Sequence, residues 1–390
     1  MNALRNWQSQ PRAVQVLGLL VLLTSTAGLD LAIDRDLSLF ALYLIPVLYA
    51  AWFLGVRWGY ASCLASAIVW AAEDWGEAVF YRHPLIPYWN LTERFVVITG
   101  IVATVNALQR AIAERYESEA ALQGERKEIE IAHDVQARLL PSQAPDYPAL
   151  EFGFRYQSAR GVGGDYYDFI PFSSDQLGLA VGDVSGKGLY SALLMASLQG
   201  LVRTNLAVRH GQVARFVGEL NGSFFELTGS SRYATLFFAV IDAADQTMHY
   251  VNAGHNPPLL FRNSAVQSAG PETPERLECG GPPVGILAGS QYGSERLRLC
   301  DGDVLVAYTD GVVEAQNPQQ EEFGEERLSD IVRSSLSLGA AEICTQIAER
   351  LQTFVAERPQ SDDITLVVMK VIADHSPGPH LRLSGGLTGL

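Results

Sequence analysis

Uncharged apolar stretches alternate with short polar segments over the first 110 positions of the chain. Four stretches stand out: Ala13–Leu29, Leu37–Val56, Trp58–Ala72 and Phe95–Gln109. The second has 20 residues, about the number that a helix needs to cross a bilayer, whereas the third and fourth have 15 each, which also suits a buried helix of a globular core. We predict a membrane domain of residues 1–110 with about four transmembrane helices, because the flanking charges agree with it.

Basic residues flank these stretches on one side of the predicted membrane: Arg5, Arg12, Arg57, Arg110 and Arg115. The connections on the other side carry the acidic residues Asp30, Asp34, Asp36, Glu73, Asp74 and Glu77. Positively charged connections remain in the cytoplasm, so both ends of the membrane domain are expected there. The pattern therefore predicts a multi-pass membrane protein whose larger, C-terminal part lies in the cytoplasm.

Residues 108–140 show the spacing of an amphipathic helix. We define its apolar seam as Leu108, Ile112, Tyr116, Leu122, Ile129, Ala132, Val135 and Leu139. The step from Tyr116 to Leu122 interrupts the seam, Gly124 weakens the helix, and Pro141 ends it. Residues 111–149 are thus predicted to be a helical, coiled-coil-like signalling linker that joins two copies of the chain. The alternative is a single helix that packs on its own domain.

Beyond Ala149 the periodicity changes to two, which predicts β-strands. Strands are expected at 150–156, 166–172, 176–181, 234–241, 247–251, 258–261, 296–299, 304–308 and 364–371, and helices at 188–207, 212–227, 325–334 and 340–356. Strands in runs with helices in pairs indicate two antiparallel sheets flanked by helices, an α+β sandwich over residues 150–372. Residues 373–390 are predicted to be a disordered tail.

The formal net charge is −15, and residues 1–110 carry equal numbers of acidic and basic side chains. The acidic excess therefore belongs entirely to the C-terminal part, which argues against binding to nucleic acid or anionic lipid and suits a domain that holds cations. The four cysteines are far apart and form no CxxC pair. This spacing indicates neither a disulfide framework nor a zinc site.

Aspartates recur at the ends of the predicted strands, in Gly-Gly-Asp165, Gly-Asp183-Val-Ser-Gly-Lys-Gly, Thr-Asp310-Gly and Ser-Asp362-Asp363-Ile-Thr365. If these strand ends converge, the crowded carboxylates need cations to neutralise them. Carboxylate oxygens select hard divalent ions such as Mg²⁺ or Mn²⁺. Two such ions ~3.5–4 Å apart activate a water molecule and clamp a phosphoryl group.

These motifs, together with Glu128–Pro141 and Asn252-Ala-Gly-His255-Asn-Pro-Pro258, resemble those of the SpoIIE/RsbU branch of the metal-dependent (PPM-type) protein serine phosphatases. The resemblance covers about Glu128 to Lys370 and implies an αββα sandwich with two Mn²⁺ or Mg²⁺ ions. By position, the ligands would be Asp165, Asp183, the carbonyl of Val184, Asp310 and Asp362, acting through metal-activated water. Asp363, Lys187 and His255 would lie close by, with Asp363 orienting the site. Asp168 is expected to be structural.

The resemblance further implies a protein serine/threonine phosphatase in a bacterial inner membrane, acting on a phosphorylated partner, an anti-sigma-factor antagonist of the STAS type. The general acid stays unassigned, because Val184 and Ser185 follow Asp183 where eukaryotic relatives have a histidine. His255 is a candidate by residue type, and a turn-capping role is the alternative. Lys187 either meets the phosphate or faces solvent.

Four other interpretations compete with this one. Gly163-Gly164-Asp165-Tyr166-Tyr167 resembles the GGDEF signature of diguanylate cyclases, but Tyr166 and Tyr167 replace Glu and Phe, and the other aspartate motifs stay unexplained. A catalytically silent pseudophosphatase that docks a partner would not need the full set of carboxylates. His133-Asp134 could suggest a sensor kinase, but no ATP-binding motif follows. Gly182–Gly188 departs from the phosphate-binding loop in both spacing and the residue after Lys187.

Overall fold

A computed structural model describes residues 7, 10–32, 40–76, 83, 85–204, 212–263 and 273–372. The chain divides into two compact units, residues 1–125 and 126–390, which are described separately. The predicted disordered tail lies outside the described residues, as do Arg5, Asp34, Asp36 and Glu77 of the predicted membrane connections.

The first unit is helical throughout its described part. Helix α1 spans Arg12–Ala32, an irregular segment follows at Phe40–Leu54 with its regular turns at α2 (Leu44–Tyr49), and α3 spans Val56–Gly76. Two apolar windows, one at Arg12–Asp30 and one in the helix that starts at Ile86, are long and apolar enough to cross a membrane, each with a mean hydropathy of 1.6. Few residues of either window are buried. The described residues of the four predicted apolar stretches are thus almost all helical, and two of the stretches meet the length and hydropathy of a span.

The fourth stretch and the predicted linker belong to one uninterrupted helix, α4, from Ile86 to Leu139. The helix continues through Gly124, where the sequence indicated a weak point. Within the seam, Leu122, Ile129 and Val135 are exposed, whereas Ala132 and Leu139 are half-buried in the second unit. The final turns of α4 therefore pack on their own domain, and the other seam positions are uncovered in a single chain.

The second unit contains two β-sheets. Sheet one has the order β1-β11-β10-β6-β7 and sheet two the order β2-β3-β4-β5-β8, with β9 paired to β5. Their bounds are β1 Leu150–Gln157, β2 Asp165–Pro171, β3 Gln176–Val184, β4 Ala234–Asp242, β5 Thr247–Ala253, β6 Leu259–Phe261, β7 Glu275–Arg276, β8 Gly280–Gly281, β9 Glu295–Arg298, β10 Val304–Tyr308 and β11 Ile364–Val371. All pairs are antiparallel except the short pair of β5 and β8. The short strands β7 and β8 were not predicted.

Helices cover the outer faces of both sheets. The bounds are α5 Leu189–Thr204, α6 Val213–Thr228, α7 Asp310–Val313, α8 Gly324–Ser335 and α9 Ala340–Val355. Helices α5 and α6 pack on sheet two, and α9 packs on β1 and β11 of sheet one. The layer order is therefore helix, sheet, sheet, helix, as predicted.

The side chains of β10 point alternately into two hydrophobic cores, one on each face of sheet one. Leu305 and Ala307 belong to the core between the sheets, whereas Val304, Val306 and Tyr308 belong to the core beneath α8 and α9. All five are almost completely buried. Because successive side chains of a strand point to opposite faces, a strand buried on both sides must be apolar throughout.

Asp168 lies in the middle of β2 and is completely buried. Arg203, in the last turn of α5, donates two hydrogen bonds to its carboxylate at 2.7 and 2.8 Å, and the Tyr166 hydroxyl donates a third at 3.1 Å. The ion pair fastens the C-terminal end of α5 to sheet two. This is a structural contact, in keeping with the expectation for Asp168.

We expect Asp168→Asn to lower the free energy of unfolding of a fragment of residues 111–372 by about 1–3 kcal/mol, because it removes the charge that Arg203 binds. Its phosphatase rate per folded molecule should stay within about twofold of the parent. Chemical denaturation and rate measurements would check this, with the exposed Asp175→Asn as the control. A loss of activity without a loss of stability would contradict a structural role.

Candidate metal centre

Asp165 and Asp183 face each other across the β2–β3 pair. Asp165 begins β2, Asp183 lies one residue before the end of β3, and the two are direct partners in the antiparallel register. A Cβ atom added to Gly164 would lie 2.7 Å from the Val184 carbonyl oxygen and 2.9 Å from Asp183 Oδ1. Sheet two thus places three of the predicted ligands at one end, and Gly164 permits their close approach.

Sheet one contributes the other carboxylates at the same end. Asp310 directly follows Thr309 after β10, and Asp362 lies two residues before β11. The hydroxyls of Thr309 and Thr365 both donate to Asp165 Oδ2, at 2.8 and 2.6 Å. These hydrogen bonds join the two sheets at Asp165, so the strand ends that carry the aspartates converge as the sequence analysis expected.

Asp363 holds the backbone that leads into β2. Its two carboxylate oxygens accept hydrogen bonds from the amides of Ala159 and Gly164, each at 2.8 Å. A Cβ atom on Gly163 would lie 2.1 Å from Asp363 Oδ2, so any larger residue there would displace this contact. With both oxygens engaged, Asp363 orients the segment around Asp165.

Burial and mutual repulsion raise the pKa values of several aspartates in this cluster. Burial, together with the charge of Asp183, raises the pKa of Asp165 well above its usual range, although the Thr365 and Thr309 hydroxyls oppose this shift. Burial and the charges of Asp310, Asp362 and Asp363 raise the pKa of Asp183 to about 8. The pKa of Asp310 is raised by burial and by Asp362. A site that disfavours its own carboxylate charges gains free energy when a cation enters.

Lys187 is the cation closest to this cluster in the described part of the chain. Its Nζ lies 2.7 Å from Asp362 Oδ2 and 3.0 Å from the Ser361 carbonyl. It lies between Gly186 and Gly188, which have φ angles of 112° and 78°. Lys187 therefore pairs with Asp362 while about half of its side chain is exposed, and its contact with a phosphate group stays a prediction.

His255 is buried between the two sheets. Its Nδ1 lies 2.9 Å from Thr235 Oγ1, and its backbone amide donates to Asn252 Oδ1 at 2.7 Å. Burial lowers the pKa of its imidazole to about 4. A neutral, enclosed imidazole suits the turn-capping alternative better than proton donation to a leaving group.

The residues present fit a pair of hard divalent cations in their chemistry. The donors are carboxylate oxygens and one backbone carbonyl, which are the ligands that Mg²⁺ and Mn²⁺ prefer. Within the described residues, no group of three or more His, Cys, Asp or Glu side chains is arranged to hold a metal ion as it stands. Mg²⁺ in proteins commonly takes one or two carboxylates and several water molecules, so an open set of this kind is compatible with such ions.

The last turns of α4 also reach this region. The Gln136 side chain donates to the Gly163 carbonyl at 2.7 Å and accepts from the Gly163 amide at 3.1 Å. His133 Nδ1 contacts the Gly161 carbonyl, and Gln199 of α5 donates to the Leu139 carbonyl. Gln136 thus holds the residue that immediately precedes Gly164 and Asp165.

Three residues that hold the site together were not predicted from the sequence: Thr309, Thr365 and Gln136. Both threonines lie inside the motifs quoted for the aspartates, one residue before Asp310 and two after Asp363. Their roles depend on Asp165, which is 144 and 200 residues away along the chain. Gln136 had no local signal beyond its place on the linker helix.

The two-sheet sandwich flanked by helices in the second unit is like that of PP2C-type phosphatase domains. A profile described as Stage II sporulation protein E (SpoIIE) matches residues 173–372, just over half of the chain. The chain belongs to the SpoIIE family.

Among curated relatives, Protein IcfG of Synechocystis sp. is 28% identical over 270 residues, covering 63% of this chain and 41% of that protein. Phosphoserine phosphatase RsbU of Bacillus subtilis is 28% identical over 251 residues, covering 63% of this chain and 70% of RsbU. The chain therefore matches less than half the length of the first relative.

Two solved structures share the fold of the second unit. The SiaA-PP2C domain of Pseudomonas aeruginosa has a TM-score of 0.55 at 19% identity, covering 64% of this chain and 98% of that domain. The RsbU and RsbW domains of a Mycobacterium tuberculosis protein give 0.51 at 24% identity, covering 61% of this chain and 64% of that one. At 19 and 24% identity, these two structures show the fold of the second unit, a two-sheet sandwich of the PP2C type.

We expect Asp183→Asn to stabilise the metal-free fragment 111–372. Since the pKa of Asp183 is higher in the folded than in the unfolded chain, its contribution to stability is full below about pH 4 and is lost as the pH rises towards 8. The amide abolishes this loss, so the variant should gain roughly 1–3 kcal/mol over the parent at pH 8 and much less at pH 4.

Denaturation in EDTA at both pH values would measure this difference. The exposed Asp146→Asn serves as a control that should show no such pH-dependent gain. Equal stability of parent and Asp183→Asn at pH 8 would show that the carboxylates do not repel one another.

Proposed function

We propose that this chain is a membrane-anchored, metal-dependent protein phosphatase that hydrolyses phosphoserine or phosphothreonine on a partner protein. The observation that carries the proposal is the meeting of Asp165, Asp183, Asp310 and Asp362 at one end of the sandwich, in a chain of the SpoIIE family. RsbU, a relative, is named a phosphoserine phosphatase.

The proposed ligands are Asp165, Asp183, the Val184 carbonyl, Asp310 and Asp362. Bound Mn²⁺ or Mg²⁺ ions would supply an activated water molecule and neutralise charge on the phosphoryl group. The chain itself fixes the ligand geometry: Thr309 and Thr365 orient Asp165, and Asp363 holds the backbone beside it. Lys187 supplies positive charge at the rim, where a phosphate group has to approach.

The substrate we propose is a phosphorylated STAS-type anti-sigma-factor antagonist, in line with the family resemblance. For the location, we propose the inner membrane of a bacterium, with the second unit in the cytoplasm. The support is the two apolar windows, which expose many large side chains such as Leu17, Leu20 and Val96. Such surfaces are costly in water and favourable in lipid.

For control, we propose that α4 transmits a signal from the first unit to the metal centre in a homodimer. The exposed seam residues Leu122, Ile129 and Val135 supply apolar surface for a second copy of the helix. The contacts of Gln136 with Gly163 and of Leu139 with Gln199 couple the helix to both β2 and α5. A shift of α4 would then change the ligand positions and the affinity for metal.

We expect the full-length protein in detergent to release phosphate from a phosphoserine peptide with Mn²⁺ or Mg²⁺, and to lose this activity in EDTA. Asp310→Asn should reduce the rate by about 100-fold or more, because it removes a ligand from the metal centre. Asp330→Asn, an exposed change on α8, is the control. Full activity in EDTA would refute the metal-dependent mechanism, and activity on GTP alone would favour the cyclase alternative.

We expect Gln136→Ala to raise the Mn²⁺ concentration needed for half-maximal activity by about threefold or more, since it frees the Gly163 backbone beside Asp165. The measurement is a rate titration with Mn²⁺ on the full-length protein. Gln123→Ala changes an exposed residue of the same helix and should leave the midpoint unchanged. If both variants match the parent in midpoint and maximal rate, α4 is a passive tether.

A further inference from the structure

A cavity of about 270 Å³ opens beside the aspartate cluster on the outer side of sheet one. Its floor is apolar and buried, formed by Ile347 and Leu351 of α9 and Leu366 of β11. Its inner end is formed by Gly311 and Asp362, which adjoin or belong to the proposed ligand set. The cavity is slightly smaller than the ~300–1,000 Å³ typical of small-molecule sites, so it suits one or two side chains better than a cofactor.

The rim of this cavity is fixed before any ligand arrives. Gln157 of β1 donates to Gln360 Oε1 at 2.8 Å, and Gln360 donates to the carbonyls of Gln157 and Asp362 at 2.9 and 2.7 Å. On the other side, Arg358 donates to the Asn317 carbonyl and to Gln316 Oε1. A preformed rim lowers the entropy cost of binding.

The cavity is positively charged although the domain around it is acidic. Arg155 and Arg358 both line it, and the Asp362 carboxylate, which also lines it, is already paired with Lys187. Arg358 bonds to neutral groups, and Arg155 is exposed without a hydrogen-bond or ion-pair partner in the described part of the chain. The charge of Arg155 is therefore available to an acidic group of a ligand.

The β1–β11 register fixes where Arg155 stands relative to the aspartates. Arg155 is opposite Leu366, and its neighbour Tyr156 is opposite Thr365, which donates to Asp165. A peptide extends by at most ~3.3–3.6 Å per residue, and Asp362 lines the cavity, so residues within a few positions of a phosphoserine held at the aspartates can reach the mouth of the cavity.

We propose that this cavity is a specificity subsite for the phosphoprotein substrate, binding an apolar side chain near the phosphoserine and an acidic side chain at Arg155. The inference rests on the proposed phosphatase function and names the sequence context which that function selects. The apolar floor, the fixed rim and the unpaired Arg155 together match a substrate segment that carries acidic and apolar side chains. They disfavour a basic segment.

The test uses the full-length protein in detergent with Mn²⁺ and three probes. Two are phosphoserine peptides that differ in their flanks, one with Leu and Glu and the other with Ala and Lys, and the third is p-nitrophenyl phosphate, which has no flanks. We expect the parent to prefer the Leu/Glu peptide by about tenfold or more in kcat/KM, and Arg155→Glu to abolish or reverse this preference. Its rate on p-nitrophenyl phosphate should not change.

Arg350→Glu is the matched control, because it makes the same charge change at an exposed position of α9 outside the cavity. Arg155→Gln, which removes the charge without reversing it, should give an intermediate preference. A parent without preference, or an Arg155→Glu variant that behaves like Arg350→Glu, would overturn the subsite while the phosphatase function stands. A parent that hydrolyses none of the three probes would overturn the proposed function itself, and the subsite with it.

Discussion

Negative charge has to be held at the common end of two stacked sheets, and most of the surrounding structure serves that constraint. Asp165 is almost completely buried and lies opposite Asp183 in the strand register. Burial and repulsion raise the pKa of both carboxyl groups. The hydroxyls of Thr309 and Thr365, which come from the other sheet, compensate part of this cost at Asp165. The same hydrogen bonds join the two sheets at this end, so the contacts that stabilise the sandwich also set the geometry of the site.

The glycines around the cluster follow from the same constraint. Gly163 and Gly164 bring the backbone against Asp363, Asp183 and the Val184 carbonyl, where even a methyl group would collide. Their backbone is held from both sides, by Asp363 within the sandwich and by Gln136 of the connecting helix. If the helix shifts as proposed, a segment fixed in this way would pass the displacement to the proposed ligands, because close-packed interiors deform little. This is the physical basis for treating α4 as part of the site.

The cavity beside the aspartate cluster is lined by positively charged side chains, in contrast to the acidic cluster itself. The second unit carries most of the acidic excess of the chain, yet the adjoining cavity presents Arg155 and Arg358. A phosphoprotein brings its own negative charge, so an acidic domain needs local cations wherever the substrate lies close to it. In the proposed function, Lys187 would meet this need at the cluster, and Arg155 and Arg358 would meet it next to the cluster.

Local pattern predicted most of the longer elements of this protein, but not the short strands β7 and β8. Residues 304–308 and 364–371 were predicted as strands, and the recurrence of Asp at strand ends indicated that carboxylates would crowd together if those ends converged. Uncharged apolar runs predicted the helices of the first unit. The partners of these residues were beyond such a pattern. No local signal indicated that Arg203 binds Asp168, that Thr365 binds Asp165 across 200 positions, or that Arg155 borders the same end of the sheet. Periodicity records which face of an element is apolar, because that is a property of neighbouring residues. Which residue from a distant element fills a given hydrogen bond depends on how the sheets stack, and only the folded chain decides it.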